Sequence, residues 1–176
     1  MNRNVALIWI LTLLVLVLQA ALAYHDLPDR MASSFDFDGN SREVGSKESF
    51  YLSWLLTIFV VNAFVLIMKP IFRWAPVSMI NVPNREYWLA TPERRAQSCA
   101  KLTNMMAAVF TCVNVMLILV FQYVVSVNLY GKPSFPIWIP FLVVPVLLIF
   151  PLVWIFLAFR IPDESKQTLP REQSLT

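Results

Sequence analysis

Four long tracts without a charged residue constrain this chain more than any other feature of its sequence. They run from Val5 to Tyr24, from Ser49 to Met68, from Leu102 to Gly131 and from Pro133 to Phe159. A helix needs about 20 mainly apolar residues to cross the hydrocarbon core of a bilayer. Because each tract reaches that length, the sequence predicts an all-α membrane protein built as a bundle of four transmembrane helices.

The shortage of charge supports this prediction. Charged residues make up 14% of the 176 residues and hydrophobic residues make up 58%. A soluble domain is about a quarter charged, because its surface has to be covered by polar groups. We therefore expect the lipid bilayer to be the main environment of the chain. The net charge of +3 is explained by a basic cytoplasmic side, so it predicts no nucleic-acid partner.

The connecting segments differ in charge, and this difference predicts the orientation. Segment 69–101 carries six basic and two acidic residues, whereas segment 24–48 carries three basic and six acidic residues. Basic segments resist translocation and stay in the cytoplasm. We therefore expect 69–101 and both termini inside, and 24–48 outside. Arg3, the apolar stretch and the small residues before Tyr24 resemble a signal peptide, but the apolar run is longer than a signal core, so we expect it to remain as a span.

The tracts divide the chain into four parts. The first part, 1–72, holds a span over about 5–24, an outer loop over 25–48 and a span over about 49–69. The second part, 73–101, is a basic cytoplasmic loop that ends in the start of a helix. The third part, 102–160, holds spans over about 102–125 and 136–159, and 161–176 is a polar cytoplasmic tail.

The outer loop has the pattern of a β-hairpin. Apolar and polar residues alternate from Met31 to Phe37, and Asp38-Gly39 is the dipeptide that a tight turn prefers. A return strand is expected over about 40–44, broken by Gly45-Ser46, with Ser46 as the N-cap of the second span. The hairpin should pack on the helix ends or on loop 126–135, because an isolated hairpin is marginal in water.

Two further signals mark helix ends. Lys69-Pro70 predicts the end of the second span, since proline interrupts a helix. Thr91-Pro92-Glu93 combines an N-cap residue, proline at the first helical position and an acidic first turn. The sequence therefore predicts one long helix that begins at this point and continues through the third span.

The third span carries a polar face. Asn104, Thr111 and Gln122 fall within a narrow arc at helical spacing, and Asn114 lies beside them. Two interpretations fit, a polar pathway or a helix–helix contact, and the absence of a charged residue favours the contact. The repeated prolines of the fourth span likewise fit either a broken helix at a substrate site or an ordinary kinked span, and we favour the kinked span.

No familiar catalytic pattern is present, and we expect neither an enzyme nor a cofactor. The sequence lacks a P-loop, HExxH, GxSxG and a dinucleotide fingerprint. His25 and the nearby aspartates could hold a cation, and Asp36 to Asn40 faintly resembles a calcium loop. However, Gly39 is at position four of that loop rather than six, so we predict no metal site.

The same residues resemble a known family. Leu27-Pro28-Asp29-Arg30, Phe35-Asp36, Gly39-Asn40 and Gly45-Ser46-Lys47-Glu48 resemble the DUF1648 domain of bacterial membrane proteins, which also forms the N-terminal part of SdpI-type immunity proteins. The resemblance covers the first two spans and the loop between them. It implies a protein of the bacterial cytoplasmic (inner) membrane, with immunity to a secreted peptide toxin or signalling to a cytoplasmic regulator as the associated functions.

These observations lead to a first hypothesis, a non-enzymatic membrane protein that binds a peptide or protein partner. The candidate residues in the outer loop are Pro28, Phe35, Asp36, Gly39, Asn40 and Lys47. Those in the cytoplasmic loop are Asn81, Pro83, Asn84, Tyr87, Trp88 and Arg94. Turn formation explains most of these residue types as well. The alternatives are a small transporter, or accessory transport subunit, that uses the polar face, and a lipid-modifying enzyme with His25 as acid or base.

Overall fold

The computed structural model describes residues 1–36 and 40–162, with the backbone alone at residue 69. It is mostly helical, with one small two-stranded antiparallel sheet. The elements, in chain order, are α1 (Arg3–Ala23), β1 (Arg30–Phe35), β2 (Ser41–Ser46), α2 (Lys47–Trp74), α3 (Arg85–Trp88), α4 (Pro92–Tyr130) and α5 (Val143–Ala158). Short 3-10 turns cover Val77–Met79 and Pro140–Leu142.

Four helices in the described part of the chain are long and apolar enough to cross a bilayer. They are Arg3–Ala23, Lys47–Trp74, Pro92–Tyr130 and Pro140–Ala158, the last of which includes the 3-10 turn. The predicted number of helices of membrane-spanning length and hydropathy is confirmed. We call the end of the bundle with the sheet the hairpin end, and the end with residues 75–91 the loop end.

Helix α4 is the central helix of the bundle. It packs against α1, α2 and α5, whereas α1 and α2 touch each other little. Its 39 residues extend over about 58 Å, well beyond the roughly 30 Å of a hydrocarbon core. The part of α4 that exceeds this thickness includes its first turns, which carry basic residues. The predicted start is confirmed, since the Thr91 hydroxyl accepts a hydrogen bond from the Arg94 N–H at 3.3 Å.

The apolar core lies mainly at the hairpin end. Leu16 of α1, Trp54 of α2 and Phe121 of α4 meet there. Leu27, between α1 and β1, and Met31 of β1 close this core. Met31 is 1% exposed. The hairpin is therefore packed on the helix ends, as the sequence predicts.

Polar side chains join three helices in the middle of the bundle. The amides of Asn62 and Asn114 bond each other in both directions, at 3.1 Å and 3.0 Å. The Trp9 indole N–H donates to Asn62 Oδ1 at 2.8 Å, and Asn114 Nδ2 lies 3.4 Å from Thr12 Oγ1. Lipid offers no hydrogen bonds, so these groups can be satisfied only when α1, α2 and α4 are in this register.

The helix of the second span does not end at Lys69-Pro70 as predicted. Helix α2 continues through Pro70 to Trp74. The backbone carbonyl of Phe72 accepts a hydrogen bond from the Cys99 thiol at 3.2 Å. The Phe72 side chain packs against the apolar cluster at the loop end, which includes Trp88 and Phe159. These tertiary contacts hold the last turn in place, and a proline inside a membrane helix is tolerated when its surroundings compensate.

Two other predicted boundaries shift. The fourth span begins at Pro140, because Pro136 is in a turn in which its carbonyl accepts from the Ile139 N–H. Both strands stop earlier on the turn side, and extend further on the opposite side, than predicted. Gly45 therefore lies within β2 and does not end the strand. Ser46 does cap α2, accepting from the Ser49 N–H at 3.1 Å. The predicted Asp38-Gly39 turn and the tail beyond residue 162 lie outside the described residues.

The amide pair should couple the stabilities of α2 and α4. We expect Asn114→Leu and Asn62→Leu each to lower the free energy of unfolding by about 1–2 kcal/mol, because each leaves a buried amide without its partner. The double variant should lose less than the sum of the two, by about 0.5–1.5 kcal/mol. Reversible unfolding in mixed detergent micelles measures this coupling.

Thr111→Val is the matched control for that cycle. Its hydroxyl bonds the Ala107 carbonyl of its own helix, so its removal should change stability by less than about 0.5 kcal/mol. Strictly additive effects of the two asparagine substitutions would contradict the interhelical role of the pair.

Candidate functional site

A single side chain of α4 anchors the hairpin. Asn128 Oδ1 accepts from the Ala32 N–H at 2.8 Å, and Asn128 Nδ2 donates to the Ala32 carbonyl at 2.9 Å. Ala32 faces Val44 across the sheet in a non-hydrogen-bonded pair. In such a pair, the backbone N–H and carbonyl of each residue point away from the other strand. The Asn128 amide therefore occupies the outer edge of β1 in the way that a third strand would.

Aromatic contacts add to this anchor. The ring of Phe35 meets the ring of Tyr123 on α4 edge-on, with 5.3 Å between the ring centroids. Such pairs contribute about 0.5–1.5 kcal/mol beyond the area they bury. With Met31 in the core, β1 is held to the bundle along its length.

Lys47 fixes the segment that precedes β1. Its ammonium group is mostly buried, donates to the Leu27 carbonyl at 3.0 Å and lies 3.4 Å from a carboxylate oxygen of Asp29. The Lys47 backbone N–H donates to the Asp29 carbonyl at 2.8 Å, and the ammonium lies 4.9 Å from the Tyr24 ring centroid. The lysine therefore joins the end of α1, the following turn and the start of α2. Pro28 is exposed within that turn.

Asp36 and Asn40 bracket the predicted turn. Asp36 Oδ1 accepts from the Asn40 N–H at 2.8 Å, and the Asp36 N–H donates to the Asn40 carbonyl at 3.0 Å. Their side chains also meet, with Asn40 Nδ2 3.3 Å from Asp36 Oδ2. Gly39, the remaining member of the outer-loop set, lies outside the described residues. These contacts are what a closed hairpin needs.

Strand β2 is the exposed strand of the hairpin. Arg42, Glu43 and Val44 are exposed, and Val44 keeps 52% of its surface accessible. The described sheet has two strands, so the outer edge of β2 has no strand beside it. The register turns the Val44 N–H and carbonyl toward that edge. One edge of the hairpin is thus covered by α4, and the other is available.

The loop end gathers a second group of predicted residues around the end of α5. Asn84 Nδ2 and Trp88 Nε1 both donate to the Phe159 carbonyl, each at 2.8 Å. Lys101 donates to the Ala158 carbonyl, and its ammonium lies 3.5 Å from the Trp88 ring centroid. Carbonyls at a helix C-terminus have no partner within the helix, so these side chains cap α5.

The other loop-end residues hold the loop or face outward. The Arg94 guanidinium lies 4.0 Å from the ring centroid of Tyr87 and 3.5 Å from its carbonyl oxygen. Pro83 is half-buried directly before Asn84, whereas Asn81 is exposed. Asn84 itself has φ = +54°, a left-handed conformation that asparagine adopts more readily than most residues.

The four residues of the polar face do not form one site. Asn104 accepts from the backbone N–H of Asn2 at 2.7 Å, and Thr111 bonds its own helix. Asn114 lies fully buried in the central amide pair, whereas Gln122 is exposed. The amides in the middle of the bundle bond to each other, which is the arrangement of a helix–helix contact.

Sequence reasoning missed three residues that these sites depend on: Asn62, Lys101 and Asn128. Asn62 is the sole amide in the second uncharged tract, and such a lone polar residue has to find a partner inside the protein. Asn128 belongs to loop 126–135, one of the surfaces on which the hairpin is predicted to pack. These signals indicate burial, but they do not identify the partner.

No cluster of metal-binding side chains is found in the described part of the chain. Within residues 1–36 and 40–162, no three His, Cys, Asp or Glu side chains come close enough to hold an ion. His25 is exposed and makes an edge-on contact with the Tyr24 ring.

Comparison with known proteins gives no match for this chain. No family model, no curated protein and no solved structure matches it. The resemblance to the DUF1648 domain therefore stays a prediction, and the sites above stand on their own geometry.

Asn128→Ala should release the hairpin while the bundle persists. Both hydrogen bonds to Ala32 are lost, so we expect backbone amides of residues 30–35 to exchange with deuterium about tenfold faster. Hydrogen–deuterium exchange with mass spectrometry in detergent reports this segment. Gln122→Ala, an exposed amide on the same helix, is the control. Equal exchange in the two variants would show that Asn128 does not anchor the hairpin.

Substitutions at Asn84 should separate backbone strain from capping. Asn84→Gly keeps the left-handed conformation and loses the bond to Phe159, for a loss of about 1 kcal/mol. Asn84→Ala should cost about 1 kcal/mol more, because a Cβ strains that conformation. Thermal unfolding in detergent should therefore rank wild type above Gly and Gly above Ala. An alanine variant as stable as the glycine variant would exclude the strained conformation.

Proposed function

We propose that this chain is a non-enzymatic protein of the bacterial inner membrane that binds a peptide or an extended segment of a partner protein at its hairpin. The ligand would add as a strand to the outer edge of β2. The observation that carries this proposal is the asymmetry of the hairpin, in which Asn128 covers the edge of β1 and the edge of β2 is left available.

The anchoring of the hairpin supports this function. A strand-adding ligand gains backbone hydrogen bonds, and it gains them at low entropic cost when the accepting strand is already fixed. Here Met31, Asn128 and Lys47 fix β1 and the start of α2. The exposed Arg42, Glu43 and Val44 would then contribute selectivity through the side chains of the ligand.

The proposal includes an orientation. Both termini and the loop end would lie in the cytoplasm, and the hairpin would lie on the outer side, where it can meet secreted peptides. The six basic residues of segment 69–101 support this orientation. The resemblance to immunity proteins supports a secreted peptide as the ligand, with immunity or signalling as the outcome.

Cysteine labelling tests the orientation. In a variant with Cys99 and Cys112 replaced by alanine, cysteine is introduced at Glu43 or at Ser78, both of which are exposed. We expect a membrane-impermeant maleimide to label position 43 in intact cells and position 78 only after permeabilisation. The reverse pattern would place the hairpin in the cytoplasm and remove the proposed access to secreted peptides.

Proline at position 44 tests strand addition. A photo-crosslinking amino acid at Arg42 should capture the ligand in native membranes, and Val44→Pro should abolish that capture. Proline removes the outward N–H of residue 44, while the pairing with β1 does not use that N–H.

Val44→Thr keeps the N–H and serves as the matched control. It should capture the same product as the parent protein. Exchange rates of residues 30–35 check that the hairpin is intact in both variants. Equal capture by the proline and threonine variants, or no product at normal protein abundance, would contradict the proposal.

A further inference from the structure

A cavity of about 670 Å³ lies at the loop end. It is bounded by Met1, the last turn of α2, the segment 75–91 and the first turns of α4. Most of its lining is apolar or small, as with Val77, Leu89 and Ala100, and two guanidinium groups, Arg73 and Arg95, also line it. None of the residues described as lining it is acidic.

Arg73 differs from the basic residues that stabilise this end of the fold. Arg94 lies against Tyr87, Arg85 donates to the Val77 carbonyl, and Lys101 caps α5. Arg95 also contributes to the fold, through its bond to the Ala75 carbonyl. Arg73 makes no such contact with the described residues, so a structural role does not explain it.

Within the described residues, no acidic side chain pairs with the charge in the cavity. Arg73 is exposed and makes no hydrogen bond or ion pair with residues 1–36 or 40–162. Arg95 is half-buried, and one of its terminal nitrogens donates to the Ala75 carbonyl at 2.6 Å. That bond fixes the guanidinium and leaves its other N–H groups to bind an anion.

The position of the cavity selects the kind of anion. Arg73 ends the apolar tract of α2, and Arg95 precedes the apolar part of α4, so both lie where lipid headgroups meet the hydrocarbon. From Arg95 the cavity continues along α4 past Ala96 and Ala100 to Thr103, about 12 Å of helix. An apolar wall of that length suits an acyl chain and offers nothing to a soluble phosphate.

We propose that this cavity binds one anionic phospholipid, with its phosphate at Arg73 and Arg95 and an acyl chain along Ala96, Ala100 and Thr103. The bound lipid would join the end of α2 to the start of α4. This site is at the opposite end of the bundle from the hairpin, and it does not depend on the function proposed there.

Native mass spectrometry of the full-length protein in detergent tests the proposal. The probes are dioleoyl phosphatidylglycerol, dioleoyl phosphatidylcholine and glycerol 3-phosphate. We expect the first phosphatidylglycerol to bind at a concentration at least about tenfold lower than phosphatidylcholine, from the attraction of two arginines to one phosphate. Glycerol 3-phosphate should not displace it, because it lacks acyl chains.

Matched variants locate the bound lipid. Arg73→Gln with Arg95→Gln should remove the preference for phosphatidylglycerol. Arg3→Gln with Arg160→Gln removes the same charge from exposed residues at the same end that do not line the cavity, and should keep the preference. Ala100→Phe fills the apolar part without a change of charge and should weaken binding of phosphatidylglycerol.

Three results would contradict specific lipid binding at this cavity. An unchanged preference in the Arg73/Arg95 variant, or an equal loss in the Arg3/Arg160 control, would overturn the proposal in favour of nonspecific surface charge. Displacement by glycerol 3-phosphate at matched concentration would also overturn it, by showing a soluble anion site. Circular dichroism of each variant confirms that a loss of binding does not come from unfolding.

Discussion

The hydrocarbon core of a bilayer offers no hydrogen bonds, and the structure depends on how α4 meets that constraint. Along about 40 Å of this one helix, polar side chains reach a different element at each level. Lys101 bonds the end of α5, Asn104 the start of α1, Asn114 the middle of α2, and Asn128 strand β1. Helix α4 therefore sets the register of α1, α2, α5 and β1 through directional bonds, where apolar packing alone would allow sliding.

This arrangement has a functional consequence at the hairpin end. A two-stranded hairpin is marginal by itself, yet here one strand is held by an amide that imitates a third strand. The other strand keeps its outer edge available. The same central helix, at its other end, supplies one wall of a cavity with two arginines. We therefore regard α4 as the element that relates the two candidate binding surfaces.

Much of the fold can be predicted from local signals in the sequence. The uncharged tracts give the spans because a membrane helix needs about 20 apolar residues, and Thr91 gives the start of α4 because its side chain caps its own helix. The partners of Asn62 and Asn128 could not be predicted, because a polar residue in an apolar tract indicates burial but does not indicate which group it contacts. Gln122 shares an arc with Asn104 and Thr111 but is exposed, because neighbouring helices cover different sides of α4 at different levels. The end of α2 escaped prediction because tertiary contacts of Phe72 outweigh the local effect of Pro70.

The most direct test of this account is the proximity of β1 to α4 in a native membrane. In a variant with Cys99 and Cys112 replaced by alanine, cysteines at Phe35 and Tyr123 would be treated with a short bis-methanethiosulfonate reagent. This pair leaves Asn128 and its bonds to Ala32 in place. Because the two native rings are in contact, with 5.3 Å between their centroids, the account predicts intramolecular crosslinking in high yield. A pair at Phe35 and the exposed Val115, about 12 Å further along α4, should not react. No crosslink between 35 and 123, with both cysteines reactive, would show that α4 does not hold the hairpin.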